Sequence, residues 1–477
     1  MKSLRLAILL ALALVLVAIF PASAQLGDTD TSSFTIQNIG ATDATVSVKF
    51  VGTDGTEYTP TDLGNSITNP FTLAPAAAKQ IVVSQIPSAQ LPSGSYAVVI
   101  SSDVEVVAQA GLAGAGTTHF QGAYTGFSSG ATTMYIPTVA YDFFGWYSMI
   151  SVQNLGTAAA DVTVTISCTG GSAAGSTATL STTDLPVNAS YTWALKNVVP
   201  TGLTAGQTCD GSAVVTSDQP VVAVNNQNNP TTGNASIGST NSFEGSVEGS
   251  DTVYVGGISK NYFGWRSALT IQALGLAAGD ETVVTIDYAD VWADDTCTLT
   301  AEVPSCKLIT ITDANKANGR YAATITSDDA TPLLAVVGST NDTAVLNGHT
   351  VSLSNAVIGV ASGTNTVAIP NIAKAYFGFK SAITCQNVGG VATAVNFSFS
   401  GYEGNAFDTA SLAPGASIQI VTTSAETSFL PNGYNGGATL TAVAAGGQIY
   451  CFAGNTNDLP GYSGDWTSTF NGFGYDQ

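Results

Sequence analysis

Apolar and polar residues alternate with a period of two along much of this chain. Ala44–Phe50 (ATVSVKF), Asp161–Ser167 (DVTVTIS) and Glu281–Asp287 (ETVVTID) place apolar side chains at every second position, as strands with one buried face do. Turn signals such as Thr53-Asp54-Gly55 and Thr169-Gly170-Gly171 separate these runs. No segment sustains a helical period over about ten residues. Val, Thr and Ile are frequent, while the helix formers Glu, Lys and Arg are scarce. Short strands with closely spaced turns predict an all-β fold, antiparallel β-sandwiches of immunoglobulin-like type.

One stretch recurs and sets the domain count. Tyr135–Gly156 (YIPTVAYDFFGWYSMISVQNLG) returns as Tyr254–Gly275 and as Ala368–Gly389, and its second half appears at Ser32–Gly40 (SSFTIQNIG). The glutamines Gln37, Gln153, Gln272 and Gln386 lie 116, 119 and 114 residues apart, about one domain each. A solenoid repeat spans only roughly 20–50 residues, so each copy is expected to own a core. Other landmarks follow in the same order: a corner at Pro75, Pro186, Pro304 and Pro414, then Gly94, Gly211, Gly319 and Gly437 before an apolar run. A Ser-Asp turn follows at Ser102-Asp103, Ser217-Asp218 and Ser327-Asp328, replaced by Ala444-Ala445 in the last copy. The expected domains are 25–131, 132–250, 251–364 and 365–477, the first lacking the opening strand.

Residues 1–24 read as a secretory signal peptide. Lys2 and Arg5 precede an apolar run to Phe20, and Ala22-Ser23-Ala24 is a small-residue cleavage site. No second long apolar run occurs, so no membrane span is expected after cleavage. Losing Lys2 and Arg5 leaves 10 basic against 33 acidic residues, net −23. Such a surface repels phosphate backbones, so nucleic acid is not an expected partner.

The six cysteines fall two per copy in the last three copies. Repeat boundaries favour the pairs Cys168–Cys209, Cys297–Cys306 and Cys385–Cys451. The first would tie the Asp161 strand to a late loop. The second would close a hairpin, and the third would cross or edge the sandwich. Disulfides accord with an exported, extracellular chain.

The series of an apolar-Pro start, a Phe-Gly-Trp element, a Ser-x4-Gln-Asn-x-Gly strand, a Leu-x-Pro corner and a Ser-Asp-x-Pro strand pair resembles tandem sandwich repeats in secreted surface proteins of Chloroflexi-like filamentous bacteria. The resemblance covers the whole mature chain, and the copy with Trp146 matches best. Ala273 replaces Asn in the third copy and Phe379 replaces Trp in the fourth. It implies a cell-surface or extracellular-matrix location and brings no catalytic residue with it.

Chemistry is sparse. His119 and His349 stand in unrelated contexts, and there is no HExxH, nucleophile elbow or P-loop. We expect no enzyme. The repeated aromatics Phe144, Trp146, Phe263, Trp265, Phe377 and Phe379 have two readings: packing in the core or at a joint, which we take first, or a platform for sugar rings. The polar set Gln37, Asn38, Gln153, Asn154, Gln272, Gln386 and Asn387 reads as satisfied strand-end hydrogen-bonders. No cofactor is expected. Asp287, Asp290, Asp294 and Asp295, and Asn455, Asn457 and Asp458, offer oxygens suited to calcium, but no spacing matches a defined loop.

The expected function is a secreted structural or adhesive surface protein. Its partners would be itself, other surface proteins or extracellular polysaccharide. A missing terminal strand suggests head-to-tail strand addition into filaments, with Gln25–Thr31 or Thr467–Gln477 as donor, against a capped monomeric stalk. The alternative is a multivalent carbohydrate-binding array built on the Phe-Gly-Trp aromatics.

Overall fold

The computed structural model describes residues 14–19, 30–115, 119–229, 239–246, 249–288, 292–314, 316–346, 349–457, 465 and 467–475. Among them there is no α-helix, only strands and three short 3-10 turns. All strand pairs between named strands are antiparallel.

One element order is repeated four times. The third copy shows it most simply, as two four-stranded sheets. The first sheet holds the opening strand Thr252–Lys260, the glycine strand Gly319–Ser327, the third strand Glu281–Asp287 and its hairpin partner Asp295–Thr300. The second holds the corner strand Ser305–Ile309, the glutamine strand Arg266–Ala273, the long strand Leu333–Leu346 and the closing strand His349–Ile358. Alternation explains the layering. Val284 and Ile286 of the first sheet and Leu269 and Ile271 of the second are buried in one apolar cluster, while the residues between them point to the opposite face of each sheet, where Thr270 and Gln272 are buried as well. In the second copy the glycine and long strands run on as one strand, Cys209–Asn229, which passes from one sheet to the other straight through the expected Ser217-Asp218 turn.

The Ser-Asp landmark has a structural task. The side chains of Asp103, Asp218 and Asp328 accept hydrogen bonds from the backbone amides of Thr45, Asp161 and Val283 at 2.6, 2.8 and 2.9 Å. Each pins the start of a third strand. The fourth copy, with Ala444, uses Thr393 instead, whose hydroxyl accepts from the Ala444 amide at 3.0 Å.

The opening-strand position of the first copy is occupied by Leu14–Ile19, from inside the apolar stretch read as a leader. Val17 pairs with Val99 as Tyr135 pairs with Val214, Tyr254 with Thr324 and Ala368 with Thr439. The copy read as one strand short thus has the same register as the others when that stretch is present.

The copies do not lie in a row. The closing strands His119–Thr125, Ser239–Glu244, His349–Ile358 and Thr467–Asn471 each pack against two others, so the fourth meets the first. Asn371 and Asn435 of the last copy donate to Gln109 and Gln80 of the first, each at 3.0 Å, and Thr125 donates to the Asn471 carbonyl at 3.4 Å. The four copies close into a ring. This corrects the donor role considered for the C-terminal strand: Thr467–Asn471 is already paired with the long strand Ile449–Asn457, in the position the other closing strands take. Gln25–Thr29 lies outside the described residues.

All three expected disulfides are present. Their placement differs from the expected one in two cases. Cys297 and Cys306 sit in different sheets, so their bridge ties the two layers together instead of closing a hairpin. Cys385 and Cys451 face each other on neighbouring strands of one sheet, with Cα atoms 4.1 Å apart, and do not cross the sandwich.

Candidate functional site

The glutamine strands lie at the joints between copies. Gln272 donates through Nε2 to the Ala213 carbonyl of the preceding copy at 3.4 Å. A Cβ added to Gly437 of the fourth copy would stand 2.7 Å from Gln37 Nε2, so this joint closes only on a glycine. Gln37, Gln153 and Gln386 donate to the carbonyls of Ala76, Asn188 and Gly415 at 3.3, 2.9 and 3.4 Å. All four Oε1 atoms are buried and without a hydrogen-bond partner. The expectation of fully satisfied glutamines is corrected on that point: each makes one donated hydrogen bond while its buried Oε1 has none.

The asparagine half of the motif behaves as expected. Asn38, Asn154 and Asn387 each donate to two carbonyls at 2.8 or 2.9 Å and accept from the amide two residues on at 2.7–3.1 Å. That explains the Asn-x-Gly spacing, since a side chain here would crowd the bend.

The aromatic motif forms tight hairpins. Phe143 and Trp146 exchange both backbone hydrogen bonds, at 3.2 and 3.0 Å, as do Tyr262 and Trp265 at 3.1 and 2.9 Å, and Tyr376 pairs with Phe379. The two central residues have positive φ in each case: Phe144 and Gly145 at 50° and 79°, Phe263 and Gly264 at 49° and 85°, Phe377 and Gly378 at 46° and 84°. This is a type I′ turn, whose twist matches the flanking strands and whose second position favours glycine. The first position holds phenylalanine, an unusual residue for that backbone.

The turn throws its phenylalanine outward. Phe144, Phe263 and Phe377 are 81%, 83% and 73% exposed, which corrects the core-packing expectation for these three. A side chain at the tip of a two-residue hairpin has no layer above it. Trp146, Trp265 and Phe379 are partly buried and line clefts between copies. The turns are also held from behind. Asn229, Asn341 and Asn457 of the long strands donate to the carbonyls of Phe144, Phe263 and Phe377 at 2.9, 3.0 and 3.0 Å. Sequence reading missed this clamp. Its signal was Thr340-Asn341-Asp342 recurring as Thr456-Asn457-Asp458, with Asn228-Asn229 at the same place in the second copy.

Three joints carry a cleft beside an aromatic turn. The cleft between copies 2 and 3, about 200 Å³, holds Phe144, Trp146 and the Lys307–Asp210 ion pair. That between copies 3 and 4, about 270 Å³, holds Phe263, Trp265 and Arg320. That between copies 4 and 1, about 330 Å³, holds Phe377, Phe379 and uncharged amides such as Gln80 and Asn371. Beside the first turn, burial and then Asp142 push the Tyr147 hydroxyl up to about 12. Burial lowers the Arg320 guanidinium from its ordinary value.

Among the described residues no three His, Cys, Asp or Glu groups are placed to share an ion. Asp295 pairs with Lys316 at 3.0 Å and accepts from the Tyr288 hydroxyl at 2.7 Å. Asn455 accepts from Ser381, and Asn457 serves the turn clamp. Asp290 and Asp458 lie outside the described residues.

No protein-family model matches this chain, and no curated protein matches it. Among solved structures, the crystal structure of Thermotoga maritima 1070 is similar at 17% identity and a TM-score of 0.19, over 24% of this chain and 93% of that one. A tetra-tandem repeat in the extending region of a large adhesion protein is similar at 11% identity and a TM-score of 0.12, over 97% of this chain and 99% of that one. At these TM-scores neither likeness indicates a shared fold.

Proposed function

We propose that this is a secreted, non-enzymatic surface protein of adhesive or structural role, made of four immunoglobulin-like sandwich domains. It makes its contacts through the aromatic turns. Three disulfides support an extracellular place, and among the described residues no helix is long and apolar enough to cross a membrane. The observation that carries the reading is the presentation of Phe144, Phe263 and Phe377. Each is exposed, fixed by a type I′ turn and an asparagine clamp, and set at the edge of an inter-copy cleft. A rigid exposed aromatic gives contact area at little entropic loss on binding.

Extracellular polysaccharide is the favoured partner. A sugar ring offers an apolar C–H face to an aromatic plane and hydroxyls to the polar groups that share the clefts. Three such sites on one ring would add avidity on a repeating polymer. Filament formation through the C-terminal strand is not carried forward, because that strand is engaged within its own copy. The test is affinity electrophoresis against extracellular polysaccharide, comparing the protein with a Phe144→Ser/Phe263→Ser/Phe377→Ser variant. Retardation lost in the variant, with its melting temperature unchanged, is the expected result. Equal retardation of both proteins would refute the reading.

A further inference from the structure

The cleft between copies 3 and 4 contains a cation that has no counter-charge among the described residues. Arg320 follows Gly319 at the start of a glycine strand and points into the joint. One nitrogen, Nη2, donates to the Thr384 hydroxyl at 3.3 Å, and the guanidinium carbon lies 5.8 Å from the centre of the Phe452 ring. Its Nε is buried and has no acceptor. Among the described residues no carboxylate lies within ion-pair distance of it. In a chain with 33 acidic and 12 basic residues, a largely desolvated arginine with no acid beside it is out of character. Burying a charge unpaired is unfavourable unless something supplies the opposite charge.

A second orphan lines the same cleft. Thr467 is 3% exposed, and its hydroxyl is buried without a hydrogen-bond partner. The cleft therefore offers a planar guanidinium fork, which matches a carboxylate in shape and charge, and a hydroxyl able to donate or accept. Phe263, 83% exposed, stands at its edge. The other two clefts differ. Lys307 already faces Asp210 in one, where Arg266 donates to the Thr340 hydroxyl at 3.3 Å, and among the described residues the other is lined by no charged side chain.

We propose that the joint between copies 3 and 4 binds a hexuronate unit of an acidic polysaccharide, with Arg320 taking the carboxylate and Phe263 the ring face. The proposal rests on the reading of the aromatic turns as sugar contacts and assigns one of them a ligand class. The chain's net charge of −21 repels a polyanion at long range, but salt screens that repulsion beyond about 8 Å at physiological ionic strength, whereas the cleft acts at contact.

The test is calorimetric titration of the full chain with a trigalacturonate and with the neutral galactotriose. Arg320→Gln, Arg320→Lys and Phe263→Ser variants are run alongside, each checked by its melting temperature. The expected results are tighter binding of the uronate than of the neutral trimer, and at least a tenfold loss of uronate affinity in Arg320→Gln. Arg320→Lys should recover part of that loss, and in both variants the neutral trimer should lose much less affinity than the uronate. Phe263→Ser should weaken both ligands. Equal affinity for the two trimers, or unchanged uronate binding in Arg320→Gln, overturns the inference while leaving the aromatic reading standing. Binding of neither trimer overturns the inference and removes a support of that reading.

Discussion

The joint between copies 2 and 3 and the joint between copies 3 and 4 are assembled from the same strands, yet they hold opposite electrostatic situations. At the first, Lys307 is neutralised by Asp210, whose side chain is 9% exposed, and lies 5.8 Å from the Phe143 ring. At the second, Arg320 meets a hydroxyl and a ring but, among the described residues, no acid. The difference teaches that the repeat fixes where a cleft forms and which turn overlooks it. The few side chains that vary between copies decide whether the cleft is closed electrostatically or left open to a ligand.

Exchanging the two situations should have the largest effect. Asp210→Asn strands Lys307 at a mostly buried joint and should destabilise the protein by about 2 kcal/mol, below the usual range for a fully buried pair because Lys307 is partly exposed. Chemical denaturation reads that loss, and the same variant should gain affinity for a carboxylate ligand at the cleft of Phe144. Unchanged stability would mean the pair is no more than a surface contact. In the opposite direction, Thr384→Asp supplies Arg320 with the missing acid. Its stability should rise by about 1 kcal/mol, with the gain growing as salt is lowered, and uronate binding should be lost.

The clamp behind the turn should matter less to the fold than to recognition. Asn341→Ala removes the donor to the Phe263 carbonyl and should lower stability by about 1 kcal/mol. It should also weaken glycan binding several-fold by loosening the turn. An intact affinity would show that the turn holds itself. The smallest effect on stability belongs to the exposed ring: Phe144→Ser should shift stability by less than about 0.5 kcal/mol, since little of it is buried. A larger drop in melting temperature would return Phe144 to a packing role.

Much of this was readable in the chain because it depends on local rules. Period-two alternation marked the strands around Val46, Val164 and Val284, and repeat position paired all six cysteines. The asparagines read as satisfied strand-end hydrogen-bonders make three hydrogen bonds each. The Phe-Gly dipeptide misled, because a buried plug and a type I′ tip both ask for glycine next to an aromatic residue. Only the backbone exchange between Phe143 and Trp146 decides between them. Ring closure was invisible for a different reason. It depends on amides far apart in sequence, such as Asn435 against Gln80, whose types are common throughout the chain. Arg320 was overlooked because an isolated arginine carries no pattern until its lack of a partner can be seen.

The cleft between copies 4 and 1 exists only where the copies close on themselves, so closure is the most direct point to test. Cysteines placed at Gln80 and Asn435, whose side chains meet at 3.0 Å across the joint of the last copy with the first, can be oxidised in dilute solution. Ring closure predicts rapid formation of an intramolecular bridge in the monomer, identified by mass spectrometry of the linked peptides. Bridges that form only between molecules, or none at all, would mean the copies extend in a row and would contradict it.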